Sequence, residues 1–129
     1  MSYESRAGAV LYAKDMARVA AFYEAVLGLE TAAHDHEHVL LESPAFQLVV
    51  LRIPSHIAST IHIAVPPVRR ATAAVKLVFF VPRIADVRAV AEALGGVLNA
   101  AEDEWWFNGW KVCDGLDPEG NVIQFRERG

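Results

Sequence analysis

The sequence predicts an α+β fold made of two similar units in tandem, and three observations carry that prediction. The pattern strand–helix–strand–strand–strand can be read along the chain twice. Asp15 and Asp86 stand at corresponding helix starts, with Gly28 and Gly95 at corresponding ends. Finally, 129 residues with 53% hydrophobic content suit one domain, or two small units sharing a core, and exclude a disordered or fibrous chain. A repeated unit constrains the fold more than any single propensity does.

The elements follow in order. Residues 7–13 are short and apolar, then give way to Lys14-Asp15, which predicts a buried strand. Asp15 is placed to cap a helix by accepting orphan backbone N–H groups. Val19, Phe22, Tyr23, Val26 and Leu27 form one helical face, and Gly28 supplies the left-handed stop. Strands are expected at 29–35, 38–42 and 46–53, with Ser43-Pro44-Ala45 as the turn between the last two. Residues 54–74 read as a connector with a short extended piece at 61–65 and a solvated Arg69-Arg70. The order then restarts with a strand at 75–81. A helix opened by Asp86 and closed by Gly95-Gly96 comes next, then strands at 97–100, 105–112 and 121–127. Asp117-Pro118-Glu119-Gly120-Asn121 is a turn, because Pro presets one dihedral and Gly and Asn tolerate positive φ. The units are expected at 1–67 and 68–129.

Charge narrows the partners. A net charge of −4 with both signs scattered leaves no basic stripe for a phosphate backbone, so no nucleic acid partner is expected. The longest apolar runs, such as 46–51, fall far short of the ~20 residues that span a bilayer. The first six residues carry no leader pattern, and the lone Cys113 cannot form an internal disulfide. Both fit a cytoplasmic protein with no membrane partner. No Gly-x-Ser-x-Gly elbow, phosphate-cradling loop or dinucleotide fingerprint is present, so no cofactor is implied.

Two phrases carry a family resemblance. Asp15-Met-Ala-Arg-Val-Ala-Ala-Phe22-Tyr23-Glu24-Ala-Val-Leu27-Gly28-Leu29 resembles the first-helix signature of the vicinal oxygen chelate superfamily, which holds glyoxalases, bleomycin- and fosfomycin-resistance proteins and extradiol dioxygenases. Asp117-Pro118-Glu119-Gly120-Asn121-Val-Ile-Gln124-Phe125 resembles the signature that ends its second module. The resemblance spans the chain and implies two βαβββ modules with mixed, curved sheets enclosing a small-molecule pocket, commonly in a homodimer. Metal-using relatives place His or Glu on the first and last strands of each module. The matching positions here are Gly8, Gln47, Lys76 and Gln124, which offer neither imidazole nor carboxylate, so no metal is expected.

Other residues keep two readings. His34, His36 and His38 alternate and could bind a transition metal if they lay on one strand face; a solvated strand edge and turn explains them equally. All three tryptophans fall within 105–110, and strand alternation would put Trp106, Asn108 and Trp110 on one face, as pocket lining or as core. Lys76 either pairs with a carboxylate or grips an anionic ligand. Cys113 has no basic sequence neighbour except Lys111 and is a poor nucleophile. The expectation is therefore a metal-independent protein that binds a small, partly aromatic molecule between its modules, using Gln47, Lys76, Phe80, Trp106, Trp110 and Gln124. Trp106 and Gln124 are expected to share one pocket. The alternatives are a metal-dependent lyase or isomerase of the glyoxalase type, and a structural or regulatory dimer without a ligand.

Overall fold

The computed structural model describes residues 6–129; the leader reading of the N-terminus falls mostly on residues 1–5, outside that range. The chain divides into two units between His62 and Ile63, inside the connector. Each unit is a mixed sheet with one principal helix, which makes the fold α+β.

In the first unit, β1 (Ala7–Ala13) leads into α1 (Met16–Leu27), then β2 (Glu30–His34), β3 (His38–Glu42) and β4 (Phe46–Arg52). Asp15 caps α1 by accepting from the Arg18 backbone N–H at 3.1 Å, and Gly28 ends it at φ 64°. The sheet order is β1-β4-β3-β2, with β1 and β4 parallel and the other pairs antiparallel. Val19, Phe22, Tyr23 and Val26 of α1 are buried, as are Leu41, Leu48 and Val50 of the sheet. Each such side chain contributes about 1.5–3 kcal/mol by leaving water. The opposite sheet face carries Val10, Tyr12 and Gln47; Tyr12 is 63% exposed. His34 ends β2, His36 sits in the turn and His38 starts β3, so the three imidazoles do not share a strand face. Asp35 Oδ1 accepts from the Glu37 and His38 backbone N–H groups and lies 3.0 Å from His38 Nδ1.

The connector forms no strand at 61–65; it contains one helical turn instead, α2 (Ser55–Ala58). Arg70, expected in solvent, is half-buried. Its Nε donates to the Glu119 carbonyl at 3.2 Å and its backbone N–H to the Gly120 carbonyl at 3.1 Å.

The second unit contains β5 (Leu77–Phe80), α3 (Ile84–Ala93), β6 (Val97–Leu98), β7 (Trp105–Phe107), β8 (Trp110–Leu116) and β9 (Val122–Arg128). Its sheet runs β5-β9-β8-β6, with β7 paired to β8 and with β5 and β9 parallel. Phe79, Ile123, Phe125 and Cys113 are buried on one face, and Ile84, Val87 and Ala91 of α3 are buried with them.

Two expectations are corrected. The helix begins at Ile84, not at Asp86, because Glu127 Oε1 on β9 accepts the Ile84 N–H at 2.7 Å and so supplies the cap from across the sheet. Residues 105–112 are a hairpin and not one strand: Asn108 (φ 49°) and Gly109 (φ 81°) both adopt the left-handed conformation that a two-residue hairpin turn requires. The Asp117–Asn121 turn forms as expected. Asp117, fully buried, accepts through Oδ1 from the Glu119 and Asn121 backbone N–H groups and through Oδ2 from Asn121 Nδ2.

Candidate functional site

Directly paired residues of an antiparallel or parallel ladder share a face, so the register of the second sheet sorts its side chains. Gln124 pairs with Val78 and with Asp114, and Arg126 with Phe80 and with Val112. Trp110 pairs with Arg128 and with Phe107. All of these therefore lie on the face opposite α3, the open face. The α3 side holds Phe79, Phe125 and Cys113.

A hydrogen-bonded row crosses the open face. Lys76 Nζ donates to Asp114 Oδ2 at 2.7 Å, Gln124 Nε2 donates to Asp114 Oδ1 at 2.9 Å, and Arg126 Nε donates to Gln124 Oε1 at 2.8 Å. Asp114 thus fixes both the Lys76 ammonium and the orientation of the Gln124 amide. Lys76 carries out the carboxylate-pairing reading. It does so on the open face, so the ion pair is also part of the site. Gln124 is 6% exposed, a buried amide whose two polar atoms are both satisfied.

Aromatic rings border the Arg126 end. Phe80, 60% exposed, meets Trp110 edge-on with ring centroids 4.8 Å apart. The Arg126 guanidinium carbon lies 5.0 Å from the Phe107 ring centroid and 5.8 Å from that of Phe80, and Arg128 lies 5.4 Å from that of Trp110. At the Asp114 end, Arg69, Asn99, Asp114, Gly115, Leu116 and Val122 line a cavity of about 150 Å³.

The register separates two residues that alternation along one strand would have joined. Trp106 pairs with Lys111, an odd number of positions from Asp114, so it lies on the α3 side, its ring near Gly129. The Asn108-Gly109 turn causes this by reversing the chain between Trp106 and Trp110. Trp106 and Gln124 therefore open onto different faces, and Trp110, Phe80, Lys76 and Gln124 come together without Trp106. Gln47 lies on the open face of the first sheet, beside Gly8 and Glu42, and donates to Glu42 Oε2 at 3.4 Å. The Arg6 guanidinium, with help from Gln47, holds the Glu42 carboxyl below the usual carboxylate range.

Asp114, Phe107, Arg126 and Arg128 belong to the site although composition did not mark them. Arg126 could have been found from strand alternation with Gln124; Asp114 needed the register of β8 against β9. Cys113 does have a basic neighbour, Arg88 at 3.5 Å from α3, but burial dominates and pushes the thiol up. Arg88 is itself paired with Glu104.

A glyoxalase-like domain family matches residues 8–125. The chain belongs to that family, within the vicinal oxygen chelate superfamily. No curated protein matches this glyoxalase-like chain. Among solved structures it is similar to a glyoxalase/bleomycin resistance protein/dioxygenase family enzyme from Burkholderia phytofirmans, at 18% identity, covering 95% of this chain and 97% of the other, with a TM-score of 0.71. It is also similar to the bleomycin resistance determinant encoded on transposon Tn5, at 16% identity, 97% and 98% coverage and a TM-score of 0.62. A bleomycin-binding protein solved in complex with bleomycin matches at 15% identity, 99% and 100% coverage and a TM-score of 0.59. These likenesses establish the glyoxalase/bleomycin-resistance fold. Among the described residues, no helix of the glyoxalase-like chain is long and apolar enough to cross a membrane.

Proposed function

We propose that this glyoxalase-like protein binds a small, flat, partly aromatic molecule on the open face of the second sheet, without a metal. One observation carries the reading: a hydrogen-bonded row of Lys76, Asp114, Gln124 and Arg126 lies beside the exposed Phe80 and the Trp110 ring. A polar strip that orients a ligand, next to rings that stack on it, is the usual chemistry of a small-molecule site. Stacking adds about 0.5–1.5 kcal/mol beyond burial, which favours flat ligands. The bleomycin-binding relative, solved with its ligand, supports binding as a role open to this fold.

The donor set argues against a metal at the superfamily's positions. Lys76 presents an ammonium, Gly8 presents no donor, and the Gln124 carbonyl already accepts from Arg126. A divalent cation beside Gln124 would face Lys76 and Arg126, two positive groups, with Asp114 already shared between Lys76 and Gln124. Among the described residues no three His, Cys, Asp or Glu side chains are grouped to hold a metal ion. A metal-dependent lyase or isomerase would need donors that this row does not offer.

The test is a titration with planar aromatic compounds, read by quenching of tryptophan emission, after purification without an affinity tag. Saturable quenching is expected, reduced in Trp110→Phe and Phe80→Ala and unchanged by a chelator. Absence of saturable binding across the set, or about one tightly held divalent metal per chain, would overturn the proposal.

A further inference from the structure

Positive charge on the open face is unevenly compensated. Lys76 is neutralised by Asp114 at 2.7 Å, whereas Arg126 and Arg128 pair with no carboxylate among the described residues. The Arg126 end of the row therefore carries two uncompensated guanidinium charges in a chain whose net charge is −4. Arg126 is also held in place. Its Nε is committed to Gln124 Oε1 at 2.8 Å, and the Phe107 and Phe80 rings lie 5.0 and 5.8 Å from its guanidinium carbon. With Nε used, the end-on pair Nη1 and Nη2 remains, and neither has a hydrogen-bond partner among the described residues. That pair matches the two oxygens of a carboxylate.

We infer that Arg126 is the anion anchor of the site, and that the ligand class is a flat aromatic molecule bearing a carboxylate. This rests on the binding role proposed above for the same face. Asp114 serves as a positioning residue. By accepting from Gln124 Nε2 it fixes the amide so that Oε1, and not the NH2 group, meets Arg126. A reversed amide would set donor against donor and release the guanidinium from its plane. The aromatic body of the ligand lies against Phe80 and Trp110, next to the anchored carboxylate.

The test compares 2-naphthoate with 2-naphthamide, which share a ring system and differ in charge, by isothermal titration calorimetry on the full chain. The wild-type protein is expected to prefer the carboxylate by about tenfold or more, the range of a charge-assisted hydrogen-bonded pair. Arg126→Gln should abolish that preference while still binding the amide, and Arg126→Lys should keep part of it. Asp114→Ala should shrink the ratio, and Asp114→Asn, which retains an acceptor oxygen, should restore it. A fold defect alone would weaken both compounds equally and leave the ratio unchanged. Equal wild-type affinity for the two compounds, or a preference that survives Arg126→Gln, would overturn the anchor and leave the binding role standing. Failure of both compounds to bind at millimolar concentration would overturn the binding role as well. Equal wild-type affinity for the two compounds overturns the anchor even where a variant does not fold, and a full preference kept in Arg126→Lys overturns it where Arg126→Gln does not fold.

Discussion

Asp114→Ala tests whether the row on the open face is one connected device. The substitution removes two contacts of different kinds. The Lys76–Asp114 pair is partly exposed, with side chains 36% and 24% accessible, so water screens it and its loss costs about 0.5 kcal/mol. Gln124 is buried, and its Nε2 loses the acceptor at 2.9 Å with little room for water, which costs about 1–2 kcal/mol. The sum is about 2 kcal/mol, or a Tm lower by roughly 6–10 °C for a chain of this size. Asp114→Asn keeps an oxygen for Gln124 and gives up the acceptor and the charge that hold the half-exposed Lys76, whose ammonium can turn to solvent, so its Tm should fall by less than about 3 °C. Differential scanning calorimetry on the purified variants measures both. Equal losses in the two variants, or an Asp114→Ala Tm within about 2 °C of wild type, would refute the claim that Asp114 holds the Gln124 amide.

Further outcomes follow from other parts of the molecule. Gly120→Ala should destabilise severely, because at φ 83° a Cβ would stand 2.2 Å from the Val68 carbonyl oxygen, whereas Gly28→Ala meets open space and should cost only about 1–2 kcal/mol of left-handed strain; urea titration separates them. Glu127→Ala should lower stability by about 0.5–2 kcal/mol by uncapping α3, read as faster amide exchange at Ile84. Cys113 should react with iodoacetamide at pH 7 more slowly than a free thiol, since burial raises its pKa and leaves little thiolate. Asp35, held down by the Glu37 and His38 backbone N–H groups, should titrate below the ordinary aspartate range by NMR. A folded-state pKa lowered in this way stabilises above the unfolded value, and that contribution disappears as pH falls through the folded value. Sedimentation equilibrium should give a homodimer of the 14.2 kDa chain at micromolar concentration, as the family resemblance implies.

What sequence reading recovered here was what neighbours in sequence decide. Asp15 caps a backbone group three residues on, Gly28 needs only its own φ, and the Asp117–Asn121 turn closes within itself. What it missed was decided across the sheet. The α3 start moved to Ile84 because its cap comes from Glu127, 43 positions away. The partner of Lys76 lies 38 positions away. Trp106 was misplaced for a different reason: a run of aromatic residues with strong strand preference concealed Asn108-Gly109, a hairpin turn that reverses the chain. Once that turn is in place, strand parity assigns Phe107 and Trp110 to the open face and Trp106 to the other.

The parallel pairs β1–β4 and β5–β9 also bear on how the chain acquires its structure. Each joins the first strand of a unit to its last, Ala7 to Phe46 and Leu77 to Ile123. Local hairpins can zip early, but β1 and β5 each wait for a strand that is synthesised last. Closure of a long loop must precede any reward from that pairing, which slows folding relative to a chain built of local hairpins alone. On the ribosome, the first unit can complete its sheet once β4 has emerged, while the second unit is still unmade. The second unit then holds β5 as an unpaired edge until the final residues of β9 arrive, and during that interval the nascent chain is most exposed to intermolecular strand pairing.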